Sequence, residues 1–197
     1  YQFTGGAWTQ VGGDIDGELA YDWSGNSVSI NDAGTIVAVG ATRNDGAGVS
    51  SGHVRVFQNM GGVWTQLGAD IDGEAAGDEC GKSVALNGAG NRIVIGAPKN
   101  DGTGANAGHI RIFELAGGVW NQVGVDLDGL VAGDEMGWSV SINTAGDRVA
   151  FGAPKSDDGG AEAGQVRVFD NVGAAWSQVG TSIAGEAIYD RSGWQVA

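Results

Sequence analysis

An acidic run that recurs along the chain is the main candidate for chemistry in this sequence. Its second copy reads "DIDGEAAGDE", with Asp70, Asp72 and Glu74 spaced two residues apart. Calcium takes about six to eight oxygen ligands, and D-x-D-G followed by another acid resembles the beginning of a calcium-binding loop. The run therefore predicts calcium sites with the candidate ligands Asp14, Asp16, Glu18, Asp70, Asp72, Glu74, Asp126 and Asp128.

A purely structural interpretation competes with the calcium site. Asp-Gly is an ordinary turn dipeptide, because the aspartate side chain accepts a hydrogen bond from a nearby backbone N–H. The run also changes between copies: Leu130 stands where Glu74 does, and Ser182 and Ala184 replace two aspartates. The sequence leaves both alternatives open and favours the turn.

Composition and charge limit the classes of partner. The 197 residues include 24 acidic and 10 basic side chains, for a net charge of −14. Such a surface repels nucleic acids and anionic membranes, and it favours cations or basic partners. No apolar stretch approaches the roughly 18 residues that a membrane span needs, so direct membrane insertion is not expected. Cys80 is the only cysteine, which excludes an internal disulfide.

A tandem repeat organises the whole chain. Trp8, Trp64, Trp120 and Trp176 recur at intervals of 56 residues. The repeats cover approximately 8–63, 64–119, 120–175 and an incomplete 176–197. Each contains Val- and Ile-rich runs such as "SVALN", "RIVIGA", "HIRIFEL" and "VWNQVG", separated by Gly- and Asn-rich turns.

Four short strands per repeat predict an all-β chain and the four-stranded antiparallel blades of a β-propeller. The chain supplies about three and a half blades, whereas a closed ring is expected to need about six to eight. We therefore expect either continuation in a longer chain or a homodimer that completes the ring. A β-solenoid of large repeats is the alternative architecture.

The recurring pattern G-x-S-V, [IV]-G-A-P and G-x-V-x-V-F resembles the FG-GAP repeat, the blade unit of integrin α-subunit propellers. The matching residues are Gly81, Ser83, Val84, Gly96, Ala97 and Pro98, then Gly137, Ser139, Val140, Gly152, Ala153 and Pro154, and in the first copy Gly25, Ser27, Val28, Gly40 and Ala41. The resemblance implies a propeller in an extracellular or cell-surface protein. The family's calcium loop lies in the hairpin before G-A-P, and here "NDAGT", "NGAGN" and "NTAGD" lack its carboxylates.

Several positions recur strictly, which favours a structural role. The tryptophans Trp8, Trp64, Trp120 and Trp176 are expected in the core or between blades. Turn capping or blade-to-blade ion pairs are expected from Asp22, Asp78, Asp134 and Asp190 with Arg55, Arg111 and Arg167. His53 and His109 recur as Gln165, so we expect a solvent-facing strand position rather than a catalytic or metal role.

Three tryptophans, Trp23, Trp138 and Trp194, are not present in every copy. Aromatic residues that break a repeat are candidates for a ligand-binding surface that stacks on sugar rings, although isolated surface aromatics are common. The sequence has no H-E-x-x-H or P-loop motif. Its carboxylates repeat in like environments, whereas a catalytic pair needs unlike ones.

These observations predict a non-enzymatic extracellular or cell-surface module for binding, adhesion or structure. A protein or glycan ligand is expected to meet the loops "RNDGAGVSSG", "KNDGTGANAG" and "KSDDGGAEAG". One alternative is a lectin or carbohydrate-active enzyme on the same scaffold. Another is a self-assembling architectural repeat of a surface fibre, in which edge strands join neighbouring chains.

Overall fold

The computed structural model describes residues 1–173 and 175–197, and all regular elements in these ranges are strands. None of these residues forms a helix long and apolar enough to span a bilayer. The strands are β1 (Gln2–Thr4), β2 (Ala7–Thr9), β3 (Ser24–Ile30), β4 (Ile36–Ala41), β5 (His53–Asn59), β6 (Trp64–Gln66), β7 (Ile71–Asp72), β8 (Ser83–Leu86), β9 (Arg92–Ala97), β10 (His109–Ala116), β11 (Val119–Gln122), β12 (Leu127–Asp128), β13 (Ser139–Ile142), β14 (Arg148–Ala153), β15 (Gln165–Val172), β16 (Ala175–Gln178) and β17 (Ile183–Ala184).

The strands form three equivalent antiparallel sheets and one hairpin. The sheets have the orders β3-β4-β5-β6, β8-β9-β10-β11 and β13-β14-β15-β16, and the short β7, β12 and β17 pair with the third strand of each sheet. The hairpin β1-β2 is a separate two-stranded sheet. Each sheet is a blade whose strands follow one another along the chain. This confirms the predicted propeller architecture, and each Trp-initiated repeat begins at the outermost strand of a blade.

The hydrophobic core lies between consecutive blades because side chains alternate along each strand. In β9, Ile93 and Ile95 belong to a cluster with Val54 and Val56 of the preceding blade. Val94 points the other way and packs in a cluster with Phe151 of the following blade. The middle strand therefore buries both faces, as blade stacking requires.

The G-x-S and G-A-P motifs bring successive blades into backbone contact. The Ser83 hydroxyl donates a hydrogen bond to the Gly137 carbonyl oxygen at 2.8 Å. A Cβ atom at Gly96 would lie 2.0 Å from the same oxygen, so only glycine fits there. Ser27 and Ser139 make equivalent bonds of 2.6 and 2.7 Å to the next blade.

The recurring tryptophans connect the outer parts of successive blades. The Nε1–H groups of Trp64, Trp120 and Trp176 donate to backbone carbonyls 53 residues earlier, at 2.9, 2.8 and 3.0 Å. The expectation of a buried position was wrong for Trp8, which is 69% exposed in this structure and packs on Phe3.

Candidate functional site

One edge of the blades gathers the longest loops and the acidic runs. In the first blade Ser24 pairs with Ala41, Ala41 pairs with His53, and His53 pairs with Asp72. The start of the inner strand, the loop between β4 and β5 and the acidic run therefore share this edge. We call this edge, with its equivalents in the other two blades, the loop rim. The opposite edge carries the short hairpins.

At the loop rim, a buried histidine faces carboxylates from two successive acidic runs. His53 opens β5 and its side chain is 2% exposed. Its Nδ1 atom lies 3.7 Å from Oδ2 of Asp70 and 3.9 Å from Oε2 of Glu18. These distances exceed hydrogen-bonding range. We call Glu18, His53 and Asp70 the His53 cluster.

The second blade has a similar arrangement, except that the second carboxylate nearest to the imidazole is Asp128 and not Asp126, the counterpart of Asp70. Nδ1 of His109, whose side chain is 1% exposed, lies 3.8 Å from Oε2 of Glu74 and 4.0 Å from Oδ1 of Asp128. We call Glu74, His109 and Asp126 the His109 cluster. In each cluster one ligand atom per residue can be chosen so that all three lie within 4.8 Å of one another.

The expectation that the histidines face solvent was wrong. The acidic run that arrives from the preceding blade brings its glutamate against each histidine and covers that face of the strand. Arg111, two residues after His109, donates from Nη2 to the Asp72 carbonyl at 2.5 Å and fixes this run in place. Arg55 makes the equivalent 2.6 Å bond to the Asp16 carbonyl.

The recurring arginines form blade-to-blade ion pairs with glutamate and not with the recurring aspartates. Nη1 of Arg111 lies 3.7 Å from Glu74, and Nη1 of Arg55 lies 3.8 Å from Glu18. In the third blade the glutamate position is Leu130, and Arg167 instead donates to Gln178 at 2.8 and 3.1 Å. The expected Asp–Arg pairing therefore had the wrong acidic partner.

The recurring aspartates cap turns and link loops within each blade. The Asp78 carboxylate accepts hydrogen bonds from the Ala75 backbone N–H and from Asn100 Nδ2, both at 3.0 Å. Asp22 accepts from the side chain of Asn44, and Asp190 accepts from the backbone of Ala187. Asp134 accepts a hydrogen bond from the Ser156 side chain. Turn capping was one of the two expected roles.

Burial sets the protonation of the His109 cluster. Desolvation, together with the neighbouring Arg111 guanidinium, lowers the pKa of His109 to about 4, so the imidazole is neutral at pH 7. Burial also raises the pKa of Glu74, where Arg111 opposes the shift and Asp126 adds to it. The pKa of Asp128 is raised by burial and by Asp126. A neutral imidazole beside crowded carboxylates is a donor set suited to a cation.

The predicted calcium ligands are divided between two clusters. Asp70 faces His53 while Glu74, four residues later, faces His109. A single D-x-D-G-E run therefore does not wrap around one ion. The leading aspartates are also held by glutamines: Asp14 accepts from Gln10 at 2.8 Å, Asp70 from Gln66 at 2.6 Å and Asp126 from Gln122 at 2.6 Å. Calcium binding remains a prediction.

Two of the three tryptophans that are not present in every copy contact each other at the loop rim. Trp138 and Trp194 occupy the same repeat position in adjacent copies, and their ring centroids lie 4.9 Å apart. Nζ of Lys82, at that position in the second copy, lies 4.5 Å from the Trp138 ring. Trp194 is 48% exposed. Trp23 stands apart from this pair, with the guanidinium carbon of Arg43 3.7 Å from its ring centroid.

Four-stranded antiparallel blades packed face to face define the class of this protein as a segment of a β-propeller. Residues 69–113 match the model of the FG-GAP repeat. The matching motifs recur in the neighbouring copies, so the chain contains FG-GAP-like repeats. Among curated protein sequences, none matches this chain.

Solved structures with the same fold have little sequence identity to this chain. A protein from Bacteroides uniformis, proposed to be a 6-phosphogluconolactonase, is 12% identical with a TM-score of 0.54, over 81% of this chain and 40% of that one. Sqt1 of Saccharomyces cerevisiae is 12% identical with a TM-score of 0.54, over 86% and 37%. Hydrazine synthase of Kuenenia stuttgartiensis is 10% identical with a TM-score of 0.51, over 92% and 40%. The chain thus spans about two fifths of these proteins, and the likeness concerns the fold alone.

Proposed function

We propose that this chain is a non-enzymatic binding module of an extracellular or cell-surface protein, whose ligand contacts the loop rim of the propeller. The observation that carries this proposal is the placement of three tryptophans, of which Trp23 and Trp194 are about half exposed and Trp138 is partly buried. Trp23, Trp138 and Trp194 all lie on the rim that carries the long loops, whereas the opposite edge carries short hairpins. A rigid scaffold with variable loops on one edge is a common design for recognition.

The FG-GAP-like repeat supports an adhesion role, because the same blade unit builds integrin α-subunit propellers. The net charge of −14 favours a basic protein surface or a bridging cation over an anionic partner. The partner of this module is therefore a protein or glycan displayed outside the cell, met by the rim loops.

Glycan binding is a second candidate, and the Trp138–Trp194 pair favours it. Two indole rings 4.9 Å apart, one of them half exposed, offer an apolar platform on which the C–H face of a sugar ring can stack. Lys82 beside Trp138 adds a hydrogen-bond donor for a hydroxyl or carboxylate of the sugar.

A glycan array probed with the wild-type chain and with Trp138→Ala and Trp194→Ala tests the two candidates together. Trp23→Ala is the matched control, because it removes an exposed indole from the same rim but outside the pair. Loss of glycan binding in the pair variants alone supports a lectin. Protein adhesion is supported if the tryptophan variants still bind cells or an extracellular protein, and if this binding is lost when the rim loops are exchanged.

Two outcomes would contradict the proposal. Glycan turnover that a single carboxylate substitution abolishes would identify a carbohydrate-active enzyme. Concentration-dependent assembly of the chain in light scattering, without any ligand bound at the rim, would identify an architectural repeat.

A further inference from the structure

Three residues that meet in space change together along the repeat. Glu18, His53 and Asp70 of the His53 cluster correspond to Glu74, His109 and Asp126 of the His109 cluster. At the third junction the same three positions are Leu130, Gln165 and Ser182. Each cluster is drawn from a 53-residue span, yet at the third junction all three groups are lost at once. Residues that act jointly on one ligand are expected to be kept or lost as a set.

The residue that replaces histidine satisfies its own polar atoms. Gln165 is 7% exposed and donates from Nε2 to the Ser156 hydroxyl at 2.8 Å. By contrast, the His53 and His109 rings form no hydrogen bond among the residues that the structure describes, although both are buried. Each directs Nδ1 towards two carboxylates at 3.7–4.0 Å. The surrounding acids supply the opposite charge for a cation that would take the imidazole nitrogen as a ligand.

The donor set selects the kind of cation. Zinc binds imidazole nitrogen and carboxylate oxygen at about 2.0–2.2 Å, which places tetrahedral ligand atoms about 3.3 Å apart. The observed 3.7–3.9 Å separations in the His53 cluster exceed this by about half an ångström, within reach of carboxylate rotation. Glu18 and Asp70 are 42% and 30% exposed and can adjust, while the buried histidine is fixed. Calcium prefers oxygen ligands only, whereas imidazole suits zinc and its neighbours in the first transition row.

We propose that the His53 cluster and the His109 cluster each bind one divalent transition-metal ion of the zinc class, and that the third junction binds none. Glu18 belongs to the acidic run that enters from the preceding blade, while His53 and Asp70 belong to the blade itself. The ion therefore fastens each blade to the run that leads into it. Arg55 lies 3.8 Å from Oε1 of Glu18, whereas Oε2, which faces the histidine and accepts one long hydrogen bond of 3.5 Å from Asn44, is the oxygen that would bind the metal.

Isothermal titration with zinc chloride, after dialysis of the chain against a chelator, tests the proposal by counting ions. The wild-type chain is expected to bind two. His109→Gln, which copies the third repeat, is expected to bind one, and His53→Gln with His109→Gln to bind none. Gln165→Ala is the matched control at the third junction and keeps two.

A gain of function provides the sharper test. Leu130→Glu, Gln165→His and Ser182→Asp together install the donor set at the third junction, and the count is expected to rise to three. Cobalt substitution adds a spectroscopic readout, because the visible absorption of the bound ion reports its ligands and is expected to fall by half in His109→Gln. Circular dichroism in chelator verifies that each variant is folded, and Asp126→Asn replaces His109→Gln if the latter is not.

The proposal is overturned if the double histidine variant, folded as the wild type, still binds two zinc ions. It is equally overturned if the wild type binds no zinc. If the chain instead binds two calcium ions, and the histidine substitutions do not change this number, the ligands are the carboxylates alone.

Discussion

The indole Nε1–H of Trp120 donates to the Leu67 carbonyl oxygen at 2.8 Å and so links two blades across 53 residues of sequence. Trp64 and Trp176 repeat this bond, whereas Trp8 is 69% exposed. Among the residues that the structure describes, the tryptophan at this repeat position therefore makes the bond between blades in three copies, and Trp8 does not make it. This difference permits a controlled test.

Trp120→Phe is expected to lower the free energy of unfolding by about 1–3 kcal/mol, because it leaves the Leu67 carbonyl without its donor. Trp8→Phe is the control and is expected to change stability by less than about 0.5 kcal/mol. Urea denaturation of both variants measures the difference. Equal effects would show that the bond between blades contributes nothing.

Gly96→Ala is expected to loosen the contact between the second and third blades. The added Cβ would lie 2.0 Å from the Gly137 carbonyl oxygen, and this backbone cannot move without separating the sheets. Overpacking of this kind costs roughly 1–3 kcal/mol. Gly13→Ala, where nothing lies within 4 Å, is the control. A Gly96→Ala protein as stable as the control would contradict the packing described above.

Arg111→Met is expected to destabilise the chain by about 1.5 kcal/mol, because the charged donor to the Asp72 carbonyl is lost. The loss of stability is reduced because the substitution also removes Nε of Arg111, a buried polar atom that has no hydrogen-bond partner among the described residues. Arg148→Met removes an exposed arginine that pairs with Asp170, and its stability is expected to stay close to that of the wild type. Thermal unfolding in chelator compares the two, and unchanged stability of Arg111→Met would reject the proposed role.

The metal-free chain is expected to lose stability as the pH falls from about 6.5 to about 4. The pKa of His109 is about 4 in the folded chain, against about 6.5 when unfolded. Between these values the unfolded chain binds more protons, so stability is complete above pH 6.5 and declines as the pH falls. The total from His109 is about 3 kcal/mol. Urea denaturation across this range, for the wild type and for His109→Gln, isolates the histidine, since other groups titrate in both. If the free energy of unfolding changes with pH in the same way in the wild type and in His109→Gln, the lowered pKa of His109 is contradicted.

The fold was predictable from sequence because it depends on a pattern that repeats. The 56-residue period, the four strand-like runs and the G-x-S and G-A-P motifs all indicated blades, and each motif makes the same contact in successive copies. The exposure of Trp8 was missed because burial at this repeat position depends on a contact with the preceding blade, which a residue's own repeat does not supply.

The histidine clusters were missed because the replacement of His53 and His109 by Gln165 in the third copy argued against a metal role. His53 and His109 do alternate with buried valine and isoleucine, but in a propeller both faces of the third strand are covered. The parallel changes to Leu130, Gln165 and Ser182 were visible in the sequence. The sequence alone did not show that the three changes are related, because only the structure places these positions together at one junction.

The most direct test of metal-fastened blade junctions is the thermal midpoint of the chain in chelator, in zinc and in calcium. A ligand that binds only the folded state at a hundredfold excess over its Kd adds about 2.7 kcal/mol per site. Zinc is expected to raise the midpoint strongly in the wild type, by about half as much in His109→Gln, and not at all in the double histidine variant, whereas calcium gives no comparable rise. A rise with calcium alone, or a zinc effect that persists without both histidines, would contradict the assignment.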